Sequence, residues 1–380
     1  MEGQPVMDAI RKKVESESPT RVVIDSMSHL RYLAQDQQHF RHQALGLLHL
    51  LKDQGATVVF TSEAGASDEN GNLSFLSDGI IELDSWYQPH QISLPKLRGS
   101  DVSPGPHTYR LTDHGLKIAP RLQARKHTRQ FSPRILSSGI AALDDLSGGG
   151  IHEGSTNLIS GPAGVGKSNL GMVYMRELAA QGLRSVVISF EEAKDLILQR
   201  CRGIGMPVDD MVENGLLSIH SIEALSYSPD ELAVLIRDEV ERRDVRIVMI
   251  DSVSSFRLSI NAGEEMIQRL HEICRYLANM GVTAFLLEET TEITGEAKST
   301  AERISYLTDN IMLLRYIDHE GGLGRAIGFL KKRTGNFSEY PIRFSITSDG
   351  VQLHDDILRV GATFPSLPKS EPSSSRGPVS

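Results

Sequence analysis

Cysteine, tryptophan and net positive charge are what this chain of 380 residues has least of. Its two cysteines, Cys201 and Cys274, lie far apart with no metal-binding or redox spacing, so neither a disulfide framework nor a thiolate metal site is expected. A reduced, cytoplasmic setting is the expectation. Lysine and arginine number 40 against 49 aspartates and glutamates, a net charge of −9, which argues against a surface that grips nucleic acid over its whole area. A local basic groove stays open. No apolar run approaches the roughly 18 residues that span a bilayer, and Met1-Glu-Gly-Gln-Pro-Val-Met-Asp8 lacks the basic-then-apolar layout of a secretory signal. With 39% hydrophobic and 23% charged residues, the composition is that of a folded globular chain, long enough for two domains.

Against that background one motif stands out. Gly161-Pro162-Ala163-Gly164-Val165-Gly166-Lys167-Ser168 is a complete G-x-x-x-x-G-K-S phosphate-binding loop. The apolar run Ser155–Ser160 before it reads as a buried strand, and Asn169–Ala180 after it reads as a helix. Glycines in such a loop let successive backbone N–H groups fold around phosphate oxygens at the positive end of a helix. Lys167 is expected to reach the β- and γ-phosphates, the Ser168 hydroxyl to ligate Mg²⁺, and Asn169 to complete the cofactor-binding set. The expected ligand is a nucleoside triphosphate with Mg²⁺.

Beyond the loop, apolar strands alternate with helical stretches. Asn157–Ser160, Ser185–Phe190, Leu216–His220, Ile247–Ile250, Thr283–Leu287 and Asn310–Leu314 predict an α/β fold, a mostly parallel sheet with helices on both faces. Chemistry in such a sheet gathers at the carboxyl ends of the strands. There stand Glu191 and Glu192, candidates to orient or deprotonate a water attacking a γ-phosphate; first-turn helix charge is the alternative reading. Asp251 closes its strand where a carboxylate holds Mg²⁺ through the ion's water shell. Lys331-Lys-Arg333 follows a strand expected at the sheet edge, and its charges either face solvent or reach a neighbouring subunit's γ-phosphate. Periodicity does not choose between the two.

The chain also repeats itself. Arg21-Val-Val-Ile-Asp-Ser26 echoes Arg246-Ile-Val-Met-Ile-Asp-Ser252, and Gly55–Phe60 echoes Gly281–Leu286; 226 positions separate both Asp25 from Asp251 and Gly55 from Gly281. By Lys96-Leu-Arg98 and Lys331-Lys-Arg333 the offset has grown to 235, as small loop insertions would make it. Projected back, the second module's start near Arg134 falls about ninety residues before Met1, so the first copy contains no phosphate loop and is not expected to bind nucleotide by itself. A half-sheet leaves an open edge, and the expectation drawn from it is that the true start lies upstream of Met1. Between the copies, Pro120–Arg129 carries three arginines and a lysine without an aromatic among them, which reads as a solvated linker rather than a nucleic-acid contact.

Taken in order, the phosphate loop, Phe190-Glu-Glu192, Ile250-Asp-Ser252 and Phe329-Leu-Lys-Lys-Arg333 resemble the KaiC family of RecA-like P-loop NTPases, and Arg134–Asp144 with Gly148–Gly154 resemble that family's entry segment. The resemblance divides the chain into 1–118, a partial copy; 119–133, a basic linker; 134–357, one full copy; and 358–380, a Pro/Ser-rich tail too polar to fold alone. It implies an ATPase assembled into rings, usually hexamers, with ATP held between subunits. By that analogy Glu191 and Glu192 are catalytic, and Lys331 and Arg333 act in trans. Clock members of the family phosphorylate an adjacent serine and threonine; the matching positions here are Ser305 and Tyr306, so one site is kept and the other is not. A structural hydroxyl is the other reading of Ser305. Signalling proteins are the implied partners. Nucleic acid is not expected: the loops 257–265 and 288–296 carry acidic rather than basic clusters, which weighs against a DNA-dependent recombination or helicase-loading motor. A non-catalytic scaffold held together by ATP is the remaining competitor.

Overall fold

A computed structural model describes residues 3–32, 34, 36–63, 76–85, 89–258, 263–290 and 306–357. The chain divides into two compact units, Met1–Pro106 and His107–Ser380.

In the first unit, α1 (Gly3–Glu17), β1 (Arg21–Ile24), α2 (Met27–Tyr32), α3 (Gln37–Asp53) and β2 (Thr57–Phe60) precede an antiparallel pair, β3 (Gly79–Asp84) and β4 (Gln91–Leu97). β1 and β2 pair in parallel with Ile24 opposite Phe60. Alternation places Val22, Ile24, Val58 and Phe60 on one face, where Val14, Phe40, Ala44, Leu47 and Leu51 from α1 and α3 bury against them. On the other face Val23 is 71% and Val59 57% exposed.

The second unit opens with the hairpin β5 (His107–Thr112) and β6 (Gly115–Ala119). Then follow β7 (Ile135–Leu136), α4 (Ala141–Leu146), β8 (Ile151–His152), β9 (Thr156–Gly161), α5 (Lys167–Ala180), β10 (Arg184–Ser189), α6 (Lys194–Gly203), α7 (Val208–Glu213) and β11 (Leu217–Ser221). After these come α8 (Pro229–Arg242), β12 (Val245–Asp251), α9 (Val253–Leu258), α10 (Gly263–Asn279), β13 (Thr283–Glu289) and the strands β14 (Asn310–His319), β15 (Gly322–Lys332), β16 (Ile342–Thr347) and β17 (Gly350–Ile357). Nine strands form one sheet in the order β11-β10-β12-β13-β9-β14-β15-β16-β17, parallel as far as β14 and antiparallel beyond it. β10, β12, β13 and β14 carry near-continuous apolar runs because both faces are covered. On one face α5 packs Met172, Val173 and Met175 with Met249, Phe285, Met312 and Leu314; on the other, α8 and α10 pack with Leu158, Ile188, Ile250 and Leu286. This is the mostly parallel, doubly covered sheet that the alternating pattern predicts, in the RecA-like form that the resemblance implies.

Two expectations are corrected. The strand leading into Lys331–Arg333 is not at the edge of the sheet, since β16 and β17 lie outside it; their short, mixed-polarity pattern gives little sequence signal. The segment 119–133 is not a solvated linker. Leu122 and Ala124 are buried in the α8/α10 core, and Asn279 Nδ2 donates to the Ala124 carbonyl at 3.0 Å. Two of its basic residues meet carboxylates: His127 Nδ1 lies 2.8 Å from Glu241, and Arg129 donates to Asp244 at 2.8 Å. Two apolar residues among the charges fix the segment, and acidic positions on the second unit match its sign. The hairpin β5–β6 packs with the second unit as well, Thr108 donating through its N–H and Oγ1 to Asp230, so the packing boundary after Pro106 precedes the repeat boundary at 118.

Candidate functional site

The carboxyl ends of β9, β12, β10 and β13 converge on the phosphate loop. Gly164 and Gly166 take positive φ of 72° and 111°, conformations that favour glycine, and a Cβ on Gly166 would fall 2.6 Å from Ile346 Cδ1. Gly166 is the residue before α5, so the helix begins directly at Lys167. On that helix Gly171 admits Met249 so closely that a Cβ would lie 2.3 Å from its sulfur, and Tyr174 stacks at 5.1 Å on Phe285. The glycine and the aromatic pair clamp α5 onto β12 and β13, which sets the loop above both strand ends.

Lys167 folds back over its own loop, donating to the carbonyls of Gly161 and Pro162 at 3.0 Å each. Burial lowers its pKa, opposed by the charges of Glu289, Asp251, Glu191 and Glu288. Ser168 Oγ donates to Asp251 Oδ2 at 2.6 Å, so the two residues expected on Mg²⁺ are in contact. Burial raises the Asp251 pKa; the Ser168 bond and Arg200 oppose this, while Glu191 and Glu192 add to it. Glu191 Oε1 accepts hydrogen bonds from Ser252 Oγ at 2.6 Å and Ser255 Oγ at 2.7 Å. Burial pushes the Glu191 carboxyl up, but those two hydroxyls and the Lys167 charge outweigh it and leave its pKa below the ordinary value. A carboxylate fixed and ionised beside the phosphate lysine can accept a hydrogen bond from an attacking water.

Glu192 is held differently, by Arg200 Nη2 at 2.8 Å. At the end of β13, buried Glu288 receives Arg257 Nη2 at 3.4 Å, and burial, only partly offset by Arg257, raises its pKa. Four carboxylates therefore influence one ammonium. Ser168 and Asp251 offer hard oxygen donors in a setting short of positive charge, which suits Mg²⁺. No group of three or more ligating His, Cys, Asp or Glu side chains occurs among the described residues, so the donor set fits an ion that keeps much of its water shell.

Lys331 and Arg333 do not join this site within one chain. Asn310 lies opposite Asn157 on β9 and Lys332 opposite Asn310, which puts the basic triplet at the start of β9, about 16 Å along the strand from the phosphate loop. There Lys331 Nζ donates to the Thr308 carbonyl at 2.6 Å and Arg333 Nη1 to Asp309 at 3.0 Å. Ser305 and the tail 358–380 lie outside the described residues. Reading the sequence missed Ser252, Ser255, Arg200 and Glu288. Ser252 and Ser255 had a signal, two hydroxyls three apart directly after Asp251; Arg200 had none.

A family described as "ATPase: KaiC" matches residues 2–123 and 136–357. Among curated relatives, the circadian clock oscillator protein KaiC of Synechococcus elongatus is 27% identical over 359 residues, covering 92% of this chain and 69% of the relative. The protein of the same name from Prochlorococcus marinus is 27% identical over 376 residues, 96% of this chain and 74% of the relative. That of Acaryochloris marina is 26% identical over 357 residues, 92% and 68% of the two chains. With a complete phosphate loop, a serine–aspartate contact beneath it and a family match over most of its length, the chain belongs to the KaiC family of P-loop ATPases.

Proposed function

We propose that this chain binds Mg·ATP at residues 161–169 and hydrolyses it slowly, as a regulatory ATPase. The observation that carries this reading is the pair of hydroxyl bonds, from Ser252 and Ser255, that hold Glu191 ionised beside Lys167 and Asp251. In this reading the loop N–H groups and Lys167 bind the phosphates and Ser168 and Asp251 hold the magnesium. Bound there, the ion would offset phosphate charge. Glu191 orients the attacking water and takes its proton.

The position of Lys331 and Arg333 at the opposite end of β9 supports a role toward a neighbouring subunit's nucleotide, as in a ring, hexameric in keeping with the resemblance. Protein partners in signalling, rather than nucleic acid, and a cytoplasmic setting for the two buried, unpaired thiols complete the reading. Among the described residues no helix is long and apolar enough to cross a membrane.

The experiment is a time course with γ-labelled ATP and Mg²⁺ that follows label on free phosphate and on protein together. Free phosphate that disappears in Glu191→Gln is the expected result. Label retained on the protein and lost in Ser305→Ala would add a serine autokinase activity. Nucleotide bound with neither product would replace the ATPase reading with a scaffold held by ATP, and stimulation by single-stranded DNA would replace it with a DNA-dependent motor.

A further inference from the structure

Glu191 and Glu192 are neighbours that read alike in sequence, yet their side chains have different partners. Among the described residues Glu191 is held by two neutral hydroxyls, and it faces Lys167. Glu192 Oε2 accepts from Arg200 Nη2 at 2.8 Å, and the Nη1 of the same guanidinium donates to Asn169 Oδ1. Asn169 is buried and directly follows the magnesium candidate Ser168. The backbone of Glu192 is fixed too, its N–H donating to Ser189 Oγ at 3.0 Å and its carbonyl accepting from Ser221 Oγ at 3.1 Å. Arg200 stands within α6, a regular helix, so the fork is presented from a rigid element.

We infer that Arg200 is a positioning residue for the hydrolytic site and that Glu192 is its tether, not a second base. The guanidinium bridges the end of β10 to the first turn of α5. It thereby sets the separation between Glu191, carried by the first, and Ser168, carried by the second. The guanidinium occupies the Glu192 carboxylate, whereas the described partners of the Glu191 carboxylate are two hydroxyls, which leaves it open to a water. An isolated, partly exposed ion pair would add little to the fold and nothing to the site. What distinguishes Arg200 is the second bond, to the residue beside Ser168. This inference rests on the nucleotide site proposed above.

The test uses the full chain and compares wild type with Arg200→Gln, Glu192→Gln, the double variant and Arg200→Lys. Hydrolysis of Mg·ATP gives kcat and KM, and a fluorescent ATP analogue reports binding with and without Mg²⁺. Each single Gln variant is expected to lose about tenfold in kcat with KM changed less than about threefold, because a small misplacement of a reacting group is costly. The double variant is expected to be no slower than either single, since both remove one bridge. Arg200→Lys, which keeps the charge but not the fork, is expected to recover part of the loss. Unchanged kcat in Arg200→Gln overturns the inference, as do losses that multiply in the double variant or that track a lowered Tm. If wild type binds Mg·ATP without turning it over, the hydrolytic reading fails and binding decides the bridge. Arg200→Gln must then weaken the analogue at least about threefold more with Mg²⁺ than without, and equal weakening overturns it.

Discussion

The strand pair β1–β2 and the strand pair β12–β13 are two renderings of one pattern in different surroundings. Asp25 and Asp251 end corresponding strands, and the peptide bond to the following serine is cis in both. Asp25 accepts a hydrogen bond from Thr61 at the end of its own neighbouring strand, at 2.5 Å, whereas Asp251 accepts from Ser168 across the phosphate loop. The flanking positions diverge in the same way. Val23 and Val59 are largely exposed, while their counterparts Met249 and Phe285 are buried under α5. An aspartate at a strand end is therefore not a metal ligand by virtue of its motif. What sets Asp251 apart is the residue facing it, Ser168, and the helix that brings that residue also buries the strand.

The largest expected effect tests the chemical half of this contrast. Lys167→Ala removes the one loop cation, so Mg·ATP affinity should fall about 100-fold. Titration of wild type should saturate at one nucleotide per chain, and two per chain would break the comparison by giving the first copy a site. Next comes Glu191→Gln, expected to slow hydrolysis about 10²–10⁴-fold while a fluorescent ATP analogue still binds. The packing half is tested by matched truncations read by chemical denaturation. Phe285→Ala should cost about 3–5 kcal/mol, and Val59→Ala no more than about 0.5 kcal/mol.

The smallest effect concerns pH. Burial raises the Asp251 pKa, so its charge opposes folding when no metal is present. A raised carboxyl pKa contributes stability below the ordinary carboxylate range, and that contribution is lost as pH rises through the folded value. With a chelator present, Asp251→Asn should melt a few degrees above wild type near neutral pH. The gap should close as pH falls and Asp251 itself becomes neutral. Mg²⁺ should stabilise wild type and leave the variant unmoved.

Much of the second unit was legible because parallel strands covered on both faces are largely apolar, and such runs recur through it with helical patterns between most of them. The loop, Ser168, Asp251 and Glu191 followed from motif and strand ends. What escaped was information carried by tertiary contact. Arg200 meets Asn169 from 31 positions away, and no periodicity announces such a pair. Ser252 and Ser255 left only a faint trace, two hydroxyls three apart after Asp251, of a kind that helix caps share. The burial of 119–133 turned on Leu122 and Ala124, two residues easily lost among the charges around them.

Lys167 has a final consequence. Its ammonium rests on two carbonyls of its own loop. Immobilising a long, rotamer-rich side chain ordinarily takes about 0.5–1.5 kcal/mol from a binding event. Here that ordering belongs to the fold, because Lys167 is buried and bonded to both carbonyls. An arriving triphosphate exchanges two carbonyl contacts for its own oxygens and inherits a side chain already aligned. Affinity at this loop is then a contest between acceptors, in which an anionic phosphate outbids a neutral carbonyl.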